Sequence, residues 1–225
     1  MPKVSNEYFE NKKNEIVDAA FRVCSKKPIT SVVMKDIIDE TGFSHGLIYK
    51  YYKDLDEVLR DLVIKINLQN KLDEKLDAII ESNESKISRW KSVIREICGM
   101  LSQQMIDSGT DVIKISLYSD MLAMSEPERV SRIAKNLDVG TQSPLLYLAQ
   151  VMEQYLKKIL SVKKLRPVKT VDQIIQFIII SYHGIQSGFV LSECYGANHL
   201  KNKYKPKEMF DCLADSIIAM MGGKE

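Results

Sequence analysis

No proline occurs between Pro28 and Pro127, and this long interval limits the folds open to the chain more than any other feature. An all-β protein of this length needs frequent glycine and proline turns, yet the 225 residues include only 10 glycines and 6 prolines. Within the interval, apolar residues recur at helical spacing, as in the run Val58, Leu59, Leu62, Val63 and Ile66. The sequence therefore predicts an all-α fold built from long helices.

Composition narrows the class of protein further. Hydrophobic residues make up 45% of the chain and charged residues 28%, which is too apolar for a disordered protein. Lysine and arginine number 32 and aspartate and glutamate 30, which gives a formal net charge of +2. A nearly neutral chain has no overall attraction for polyanions, so any nucleic-acid surface must be local.

The cysteines, the histidines and the apolar runs exclude several kinds of site. The 4 cysteines form no CxxC pair and the 3 histidines form no zinc-ligand pattern, so we expect reduced thiols, no metal and no cofactor. The N-terminal residues lack the apolar run of a signal peptide. The longest apolar run, Ile174–Ile180, is broken only by Gln176 and falls short of the about 20 residues that span a bilayer. These features predict a cytoplasmic protein.

Residues 34–52, with the sequence MKDIIDETGFSHGLIYKYY, carry the pattern of a helix-turn-helix. The first of the two short helices is expected to end at Gly42, because a helix C-terminus favours a residue that adopts left-handed backbone angles. Ser44 can cap a second short helix that continues through Tyr52. The second helix of such a motif is able to lie in the major groove of DNA.

One side of this second helix is basic. Between Ser44 and Lys53 the sequence has two lysines, one histidine, three tyrosines and no acidic residue. Helical spacing turns Phe43, Ile48 and Tyr52 toward the core, whereas Ser44, His45, Leu47, Lys50 and Tyr51 lie toward the other side. Local positive charge is what phosphate contact requires. On composition alone, the alternative is an ordinary surface of a helical bundle with two chance lysines.

The order of residues in this segment resembles the N-terminal motif of the TetR family of bacterial transcriptional regulators. The matching positions are Asp36, Ile37, Gly42, Phe43, Ser44, Gly46, Ile48, Tyr49, Tyr51 and Leu59, with Tyr52 where the family has phenylalanine. Val33 replaces the family's capping threonine, and Leu55 replaces its DNA-backbone lysine, whose charge Lys50 and Lys53 would supply. The motif also stands near the start of an otherwise helical chain, as it does in the family.

This resemblance implies two domains. Residues 1–54 would form a three-helix DNA-binding domain that contains the helix-turn-helix, and residues 55–225 a larger helical domain for ligand binding and dimerisation. The residues expected to contact DNA are Lys35, Ser44, His45, Gly46, Leu47, Tyr49, Lys50, Tyr51 and Lys53. Lysine and tyrosine side chains suit phosphates, Leu47 suits a thymine methyl group, and Gly46 lets the backbone approach closely.

The resemblance also implies a homodimer. One recognition helix reads only a few base pairs, so specific binding demands two copies on a palindromic operator. The helix that begins near Val171 is apolar on nearly every face and must be covered on two sides. Because the family dimerises through its last two long helices, the expected interface includes Ile178, Gly184, Gly188, Leu213 and Ile217. The alternative is that this helix forms the core of a monomer.

The middle of the chain is rich in methionine and aromatic residues, which suits a pocket for a small molecule. The candidate ligand-binding residues are Trp90, Met105, Tyr118, Met121, Tyr147 and Tyr155. Ordinary core packing is the alternative role for each of them.

The leading hypothesis is a transcriptional repressor that binds operator DNA as a homodimer and is released by a small, largely apolar effector. A second hypothesis is a TetR-like protein with an architectural or protein-partner role and no effector. We do not expect an enzyme, because the sequence has no phosphate loop, metal cluster or nucleophile motif.

Overall fold

The structure is a computed structural model, and it describes residues 6–83, 89–138, 143–163, 165–194 and 204–222. In these ranges the chain forms ten α-helices and no β-strand, which confirms the all-α prediction. The 3-10 turn Ile29–Ser31 connects the first two helices. The helices are α1 Asn6–Cys24, α2 Met34–Thr41, α3 His45–Ile48, α4 Leu55–Asn70, α5 Leu72–Asn83, α6 Trp90–Ser125, α7 Pro127–Ile133, α8 Pro144–Lys163, α9 Val171–Cys194 and α10 Pro206–Met220.

Three local features set the helix ends in the N-terminal region, and two of them, at Ser44 and Gly42, are the ones that the sequence predicts. The Ser44 hydroxyl accepts a hydrogen bond from the Leu47 N–H at 3.3 Å and so caps α3. The Asp54 carboxylate accepts the Glu57 N–H at 3.0 Å at the start of α4. Gly42 ends α2 with φ 68°, a left-handed conformation that glycine adopts without the steric penalty of a Cβ.

Helix α3 is shorter than expected, because the predicted helix ran on to Tyr52. After Ile48 the regular pattern ends, because Lys50 N–H donates to Leu47 O at 3.2 Å and Tyr51 N–H to Ile48 O at 2.9 Å, both i−3 bonds, while Tyr52 N–H donates to Ile48 O at 3.1 Å. The chain therefore leaves α3 as a turn, which delivers Tyr52 to the core.

After the start of α4, two described residues with positive φ interrupt the helical stretch that precedes Pro127. Lys71, with φ 44°, separates α4 from α5. Gly109, with φ 74° and ψ 168°, breaks the middle of α6 in a conformation that is essentially restricted to glycine. Helix propensity does not predict the break at Lys71, because lysine is a good helix former.

The chain divides into two compact units. The first unit is Met1–Gln69 with Lys114–Gln142, and the second is Asn70–Ile113 with Ser143–Glu225. The core of the first unit therefore extends past residue 54. It combines residues from the segment α1 to α4 with residues that follow Gly109. The first group includes Ile16, Ala19, Ala20, Ile37, Ile48, Tyr52, Val58 and Leu62, and the second includes Ile115, Leu122 and Ile133.

The second unit packs helix against helix around α8 and α9. Helix α8 contacts both α5 and α9, and α9 contacts α10. A hydrogen bond joins the connection between α8 and α9 to the end of α10, because the Val168 N–H donates to Met220 O at 2.8 Å. Thr170 and Gln173 then form a reciprocal capping box that begins α9.

Candidate DNA-binding site

The buried side of the helix-turn-helix fixes the orientation of α3 within the first unit. Ile37 on α2 and Ile48 on α3 are completely buried, and Tyr52 is only 2% exposed. The Tyr52 hydroxyl donates to the Asp61 carboxylate at 2.8 Å. Burial, reinforced by this hydrogen bond, raises the pKa of Tyr52 above its ordinary range. Tyr52 is therefore a neutral core residue that ties the end of the motif to α4, as the sequence indicates.

The opposite side of α3 is open to solvent. His45, Gly46, Tyr49 and Lys50 are all exposed. A Cβ atom built on Gly46 would meet nothing within 4 Å, so the glycine leaves free space on the outer surface rather than room for a neighbour in the fold. The Tyr49 ring stacks on the His45 ring with centroids 4.5 Å apart, which pre-orders both side chains on this face.

Three other residues that are expected to contact DNA also form contacts within the protein. The Ser44 hydroxyl is occupied as the cap of α3. Leu47 is half-buried. Tyr51 is also half-buried, and its ring packs on Phe9 of α1 with centroids 4.8 Å apart. These residues present only part of their surface to a ligand.

Helix α1 contributes support that sequence reasoning missed. Besides the Phe9–Tyr51 contact, the Lys12 ammonium lies 4.6 Å from the centroid of the Phe43 ring, in the turn before α3. Phe9 is 40% exposed, and its place beside Tyr51 follows from the tertiary packing of α1 rather than from any local pattern. The first turns of α1 therefore brace the recognition helix.

The expected cationic residues are exposed around the motif. Lys35 stands in the first turn of α2, and Lys50 follows α3. The Lys53 side chain is 87% exposed, with its Nζ atom 3.7 Å from Glu57 Oε1. This exposed i,i+4 pair is weak, so Lys53 can exchange it for a phosphate at little cost.

Asp36 takes over the capping role at the start of α2. Val33, the residue before the helix, has no side-chain acceptor, and the Asp36 carboxylate instead accepts the Val33 N–H at 2.7 Å. The same carboxylate accepts the Lys27 ammonium at 2.6 Å. The hydrogen bond from Lys27, followed by that from Val33, lowers the pKa of Asp36 below its ordinary value.

This geometry defines a class of protein. Two short helices joined through a left-handed glycine, with a buried inner side and an exposed outer side that lacks acids, form a helix-turn-helix of the kind that reads DNA. Residues 16–62 match the family model described as bacterial regulatory proteins, tetR family. Residues 16–62 are thus similar to the DNA-binding segment of the TetR family of bacterial transcriptional regulators.

Other proteins are similar to this chain in sequence or in fold. The chain is 26% identical over 184 residues to the uncharacterised HTH-type transcriptional regulator YfiR of Bacillus subtilis strain 168, covering 82% of each protein. Its fold resembles Salmonella enterica GusR, with a TM-score of 0.56, 11% identity and coverage of 97% and 98%. It also resembles the fatty acid degradation regulator FadR of Bacillus halodurans, with a TM-score of 0.55, 16% identity and coverage of 96% of both chains.

The expected ligand-binding residues are divided between the two units. Trp90, Met105 and Tyr155 lie in the second unit and are 5%, 3% and 4% exposed. Tyr147 belongs to the same unit, and its hydroxyl donates to the Asp77 carboxylate at 2.8 Å. Tyr118 and Met121 belong to the first unit, where Tyr118 packs against the core and Met121 is 46% exposed.

The expected dimer residues mostly pack within their own chain. Ile178 of α9 and Leu213 and Ile217 of α10 are at most 3% exposed. A Cβ on Gly188 would lie 2.1 Å from Cζ of Tyr204, so the close approach that this glycine permits is to the chain's own tyrosine. Gly184 is exposed, and its carbonyl accepts the Tyr204 hydroxyl at 3.2 Å.

A different stripe of α9 is free on the surface. Phe177, Ile180 and Leu191 are 39%, 70% and 45% exposed and, with Gly184, recur at spacings of three, four and seven residues. Such spacing places them along one seam of the helix. In the part of the chain that the structure describes, α9 is also the one helix long and apolar enough by composition to cross a membrane, a test that core helices of soluble proteins also pass.

Proposed function

We propose that this protein is a homodimeric repressor that binds a palindromic operator and is released by a small, largely apolar effector. The observation that carries the proposal is the outer side of α3, where His45, Gly46, Tyr49 and Lys50 are exposed over a rigidly buried inner side. In this proposal residues 1–54 are the DNA-binding domain, and residues 55–225 provide ligand binding and dimerisation. We place the protein in the cytoplasm, where operator DNA is accessible.

On DNA, the exposed side of α3 would enter the major groove. His45, at the first position of the helix, can donate to or accept from a base edge, and the exposed part of Leu47 can contact a thymine methyl group. The open space over Gly46 would be filled by the DNA itself. Lys35, Lys50 and Lys53 would neutralise phosphates, and the Tyr49 and Tyr51 hydroxyls would donate to phosphate oxygens.

Selection from a pool of random duplexes tests the DNA-binding proposal. The recovered sequences should contain an inverted repeat, because a symmetric dimer places its two recognition helices on two equivalent half-sites. A pool without any enriched sequence would contradict the proposal. Genome-wide footprinting then separates the two remaining roles, since a local repressor occupies one or a few sites, whereas an architectural protein occupies many.

The dimer in this proposal forms through the exposed stripe of α9. A second copy of the chain would cover Phe177, Ile180 and Leu191, and the absence of a side chain at Gly184 would let two α9 helices approach closely there. The proposed interface uses other residues than the interface expected from the sequence, because Ile178, Leu213 and Ile217 already pack inside the unit.

Ile180→Glu tests this interface. Because Ile180 is 70% exposed, the change should leave the fold intact while placing a charge at the centre of the stripe. Sedimentation at micromolar concentration should show a dimer for the wild type and a monomer for the variant. Gln154→Glu, an exposed change on α8, is the control and should remain dimeric. A dimeric Ile180→Glu variant would rule out the stripe, and a monomeric wild type would rule out the dimer.

A further inference from the structure

A basic segment of the second unit has no role in the proposed function. Residues 157–169, the basic segment, contain five lysines, one arginine and no acidic residue. The whole chain has a formal net charge of +2, so the rest of the chain is net negative. Between Ser44 and Lys53, by comparison, the helix-turn-helix has two lysines and one histidine. The basic segment therefore carries more positive charge than the part of the chain that is proposed to read DNA.

Three cations of the basic segment are available to an external anion. Lys163 is the last residue of α8, and Arg166 and Lys169 lie in the connection to α9. All three residues are exposed. Their side chains have no hydrogen bond or ion pair among the described residues, whereas Lys157 pairs with Glu153. Lys163 also suits the negative end of the α8 dipole, but Arg166 and Lys169 lie beyond that helix, so this role does not explain them.

Contacts with the end of α10 hold the backbone of this connection in place. The Val168 N–H donates to Met220 O at 2.8 Å. A Cβ atom built on Gly222 would lie 2.4 Å from Arg166 O, so the chain after α10 packs closely against the connection. Because these contacts already order the backbone, little further ordering is needed when the exposed side chains of Arg166 and Lys169 bind an anion.

The same contacts restrict the class of partner. A small anion is typically bound by several backbone N–H groups that point to one place. Here the N–H groups of Val168 and Lys169 both donate to Met220 O. The N–H of Thr170 donates to Gln173 Oε1 at 3.2 Å. These three N–H groups are therefore occupied, and the connection offers an anion mainly separate side-chain charges, which suit the phosphates of a polyanion.

Two further features favour duplex DNA as the polyanion. Single strands bind by stacking their bases on aromatic side chains, and the basic segment contains none. A lipid surface needs several apolar side chains beside the basic ones. Among the described residues of the basic segment, Val168 is the one large apolar side chain that is exposed, and the apolar stripe of α9 is covered by a second copy in the proposed dimer. The phosphates of a duplex need only cations.

We infer that the basic segment binds the phosphate backbone of duplex DNA without reading its sequence. Each cation that contacts a phosphate releases condensed counterions, so this binding depends strongly on salt. The contact holds the protein on DNA outside its operator. It goes beyond the proposed function, because it requires neither a base contact from α3 nor an effector.

The salt dependence of binding to a duplex of scrambled sequence tests this contact. The variant Arg166→Ala/Lys169→Ala removes two phosphate contacts, so the slope of log affinity against log salt should fall in magnitude by about 2. Between about 50 and 200 mM salt, the wild type should therefore lose about tenfold more affinity than the variant does. Fluorescence anisotropy with the whole chain measures both quantities.

A matched control removes the same charges elsewhere in the second unit. Lys75 on α5 and Arg89 just before α6 are exposed, and Lys75→Ala/Arg89→Ala should keep the wild-type slope. Arg166→Lys/Lys169→Arg retains both charges of the basic segment and should also keep it. An unchanged slope for Arg166→Ala/Lys169→Ala, or an equal fall in the control, would overturn the inference.

Vesicles of phosphatidylglycerol distinguish a lipid partner from DNA. If they bind the wild type but not Arg166→Ala/Lys169→Ala, while the two proteins have the same slope on the scrambled duplex, the partner is a membrane and the inference is wrong.

The outcomes also separate this contact from the proposed function. If selection from random duplexes enriches no sequence but the slope falls as expected, the contact stands and the regulator proposal fails. If an inverted repeat is selected and the slope does not change, the regulator proposal stands and the basic segment does not bind DNA.

Discussion

The carboxylate of Asp56, in the first turn of α4, accepts a hydrogen bond from Nε of Arg129 on α7 at 2.7 Å. A second contact lies nearby, because the Arg60 guanidinium on α4 donates to the carbonyl of Lys135, in the turn after α7, at 2.6 Å. Helix α4 begins directly after the recognition segment. Arg60 and Arg129 therefore attach a distant part of the chain to the helix that follows the DNA-binding motif.

Removing this contact should loosen the first unit. The Arg129 side chain is 18% exposed and that of Asp56 28%, so their bond is largely shielded from water. We expect Arg129→Ala to lower the free energy of unfolding by about 1.5–3 kcal/mol, the range for hydrogen bonds to charged groups. Arg95→Ala is the control, because its pair with Asp215 is more than half exposed and should contribute about 1 kcal/mol or less. Urea denaturation measures both, and equal losses would show that shielding does not matter here.

Gly46→Ala should raise the stability of the fold and weaken DNA binding. A Cβ at this position meets nothing within 4 Å in the free protein, and alanine in a helix is more stable than glycine by roughly 0.5–1 kcal/mol. The variant should melt slightly higher yet bind the selected duplex more weakly, because its methyl group occupies space needed by DNA. Gly99→Ala on α6 also has open space around it and should leave DNA binding unchanged. Normal DNA binding by Gly46→Ala would show that the DNA does not approach this glycine.

The lysines and the groove residues should affect different properties of DNA binding. Lys50→Ala should weaken binding to all sequences and reduce the slope of log affinity against log salt by about 1, since one phosphate contact is lost. His45→Ala should instead relax sequence preference, because it removes a contact to a base edge. Lys207→Ala, an exposed change on α10, provides the control. Fluorescence anisotropy across a salt series gives both quantities, and an unchanged slope for Lys50→Ala would remove this lysine from the phosphate contacts.

Asp36 should make the stability of the first unit depend on acid pH. Its pKa is lowered in the folded protein by Lys27 and Val33, so its contribution is fully present above the unfolded pKa of about 3.9. The contribution is lost as the pH falls through the lower, folded pKa. At pH 7, Asp36→Asn should reduce the free energy of unfolding by about 1 kcal/mol, a typical capping loss.

The difference between Asp36→Asn and the wild type should therefore shrink as the pH is lowered below 4. Asp39→Asn, an exposed change on the same helix, is the control for loss of charge. Urea titrations at neutral and acid pH measure the effect. A difference that stayed constant with pH would show that the Asp36 charge does not stabilise α2.

The N-terminal motif could be predicted closely from the sequence, because its determinants are local. Gly42, Ser44 and Asp54 act on neighbours within three or four residues, and Gly42 and Ser44 have their predicted roles. The extension of the first unit to residues after Gly109 could not be predicted in this way. It depends on pairs such as Asp56 and Arg129, which are far apart in the sequence and have no local pattern.

The buried and exposed sides of α9 also could not be predicted from the sequence. The sequence of α9 is apolar on nearly every side, so it does not reveal which side the chain itself covers. The structure buries Ile178 and leaves Ile180 exposed, because α8 and α10 pack against α9 only over part of its surface. Gly184 and Gly188 suggested a contact between two copies, but the loop residue Tyr204 lies against Gly188.

The most direct test of the central claim is the affinity of the wild-type protein for the selected duplex and for a scrambled duplex of equal length, measured at the same physiological salt concentration. A helix-turn-helix regulator should bind the selected duplex at least about a thousandfold more tightly, the lower end of the range for specific DNA-binding proteins. Equal affinity for the two duplexes would mean that α3 reads no sequence, and the account of this protein as an operator-binding regulator would be wrong.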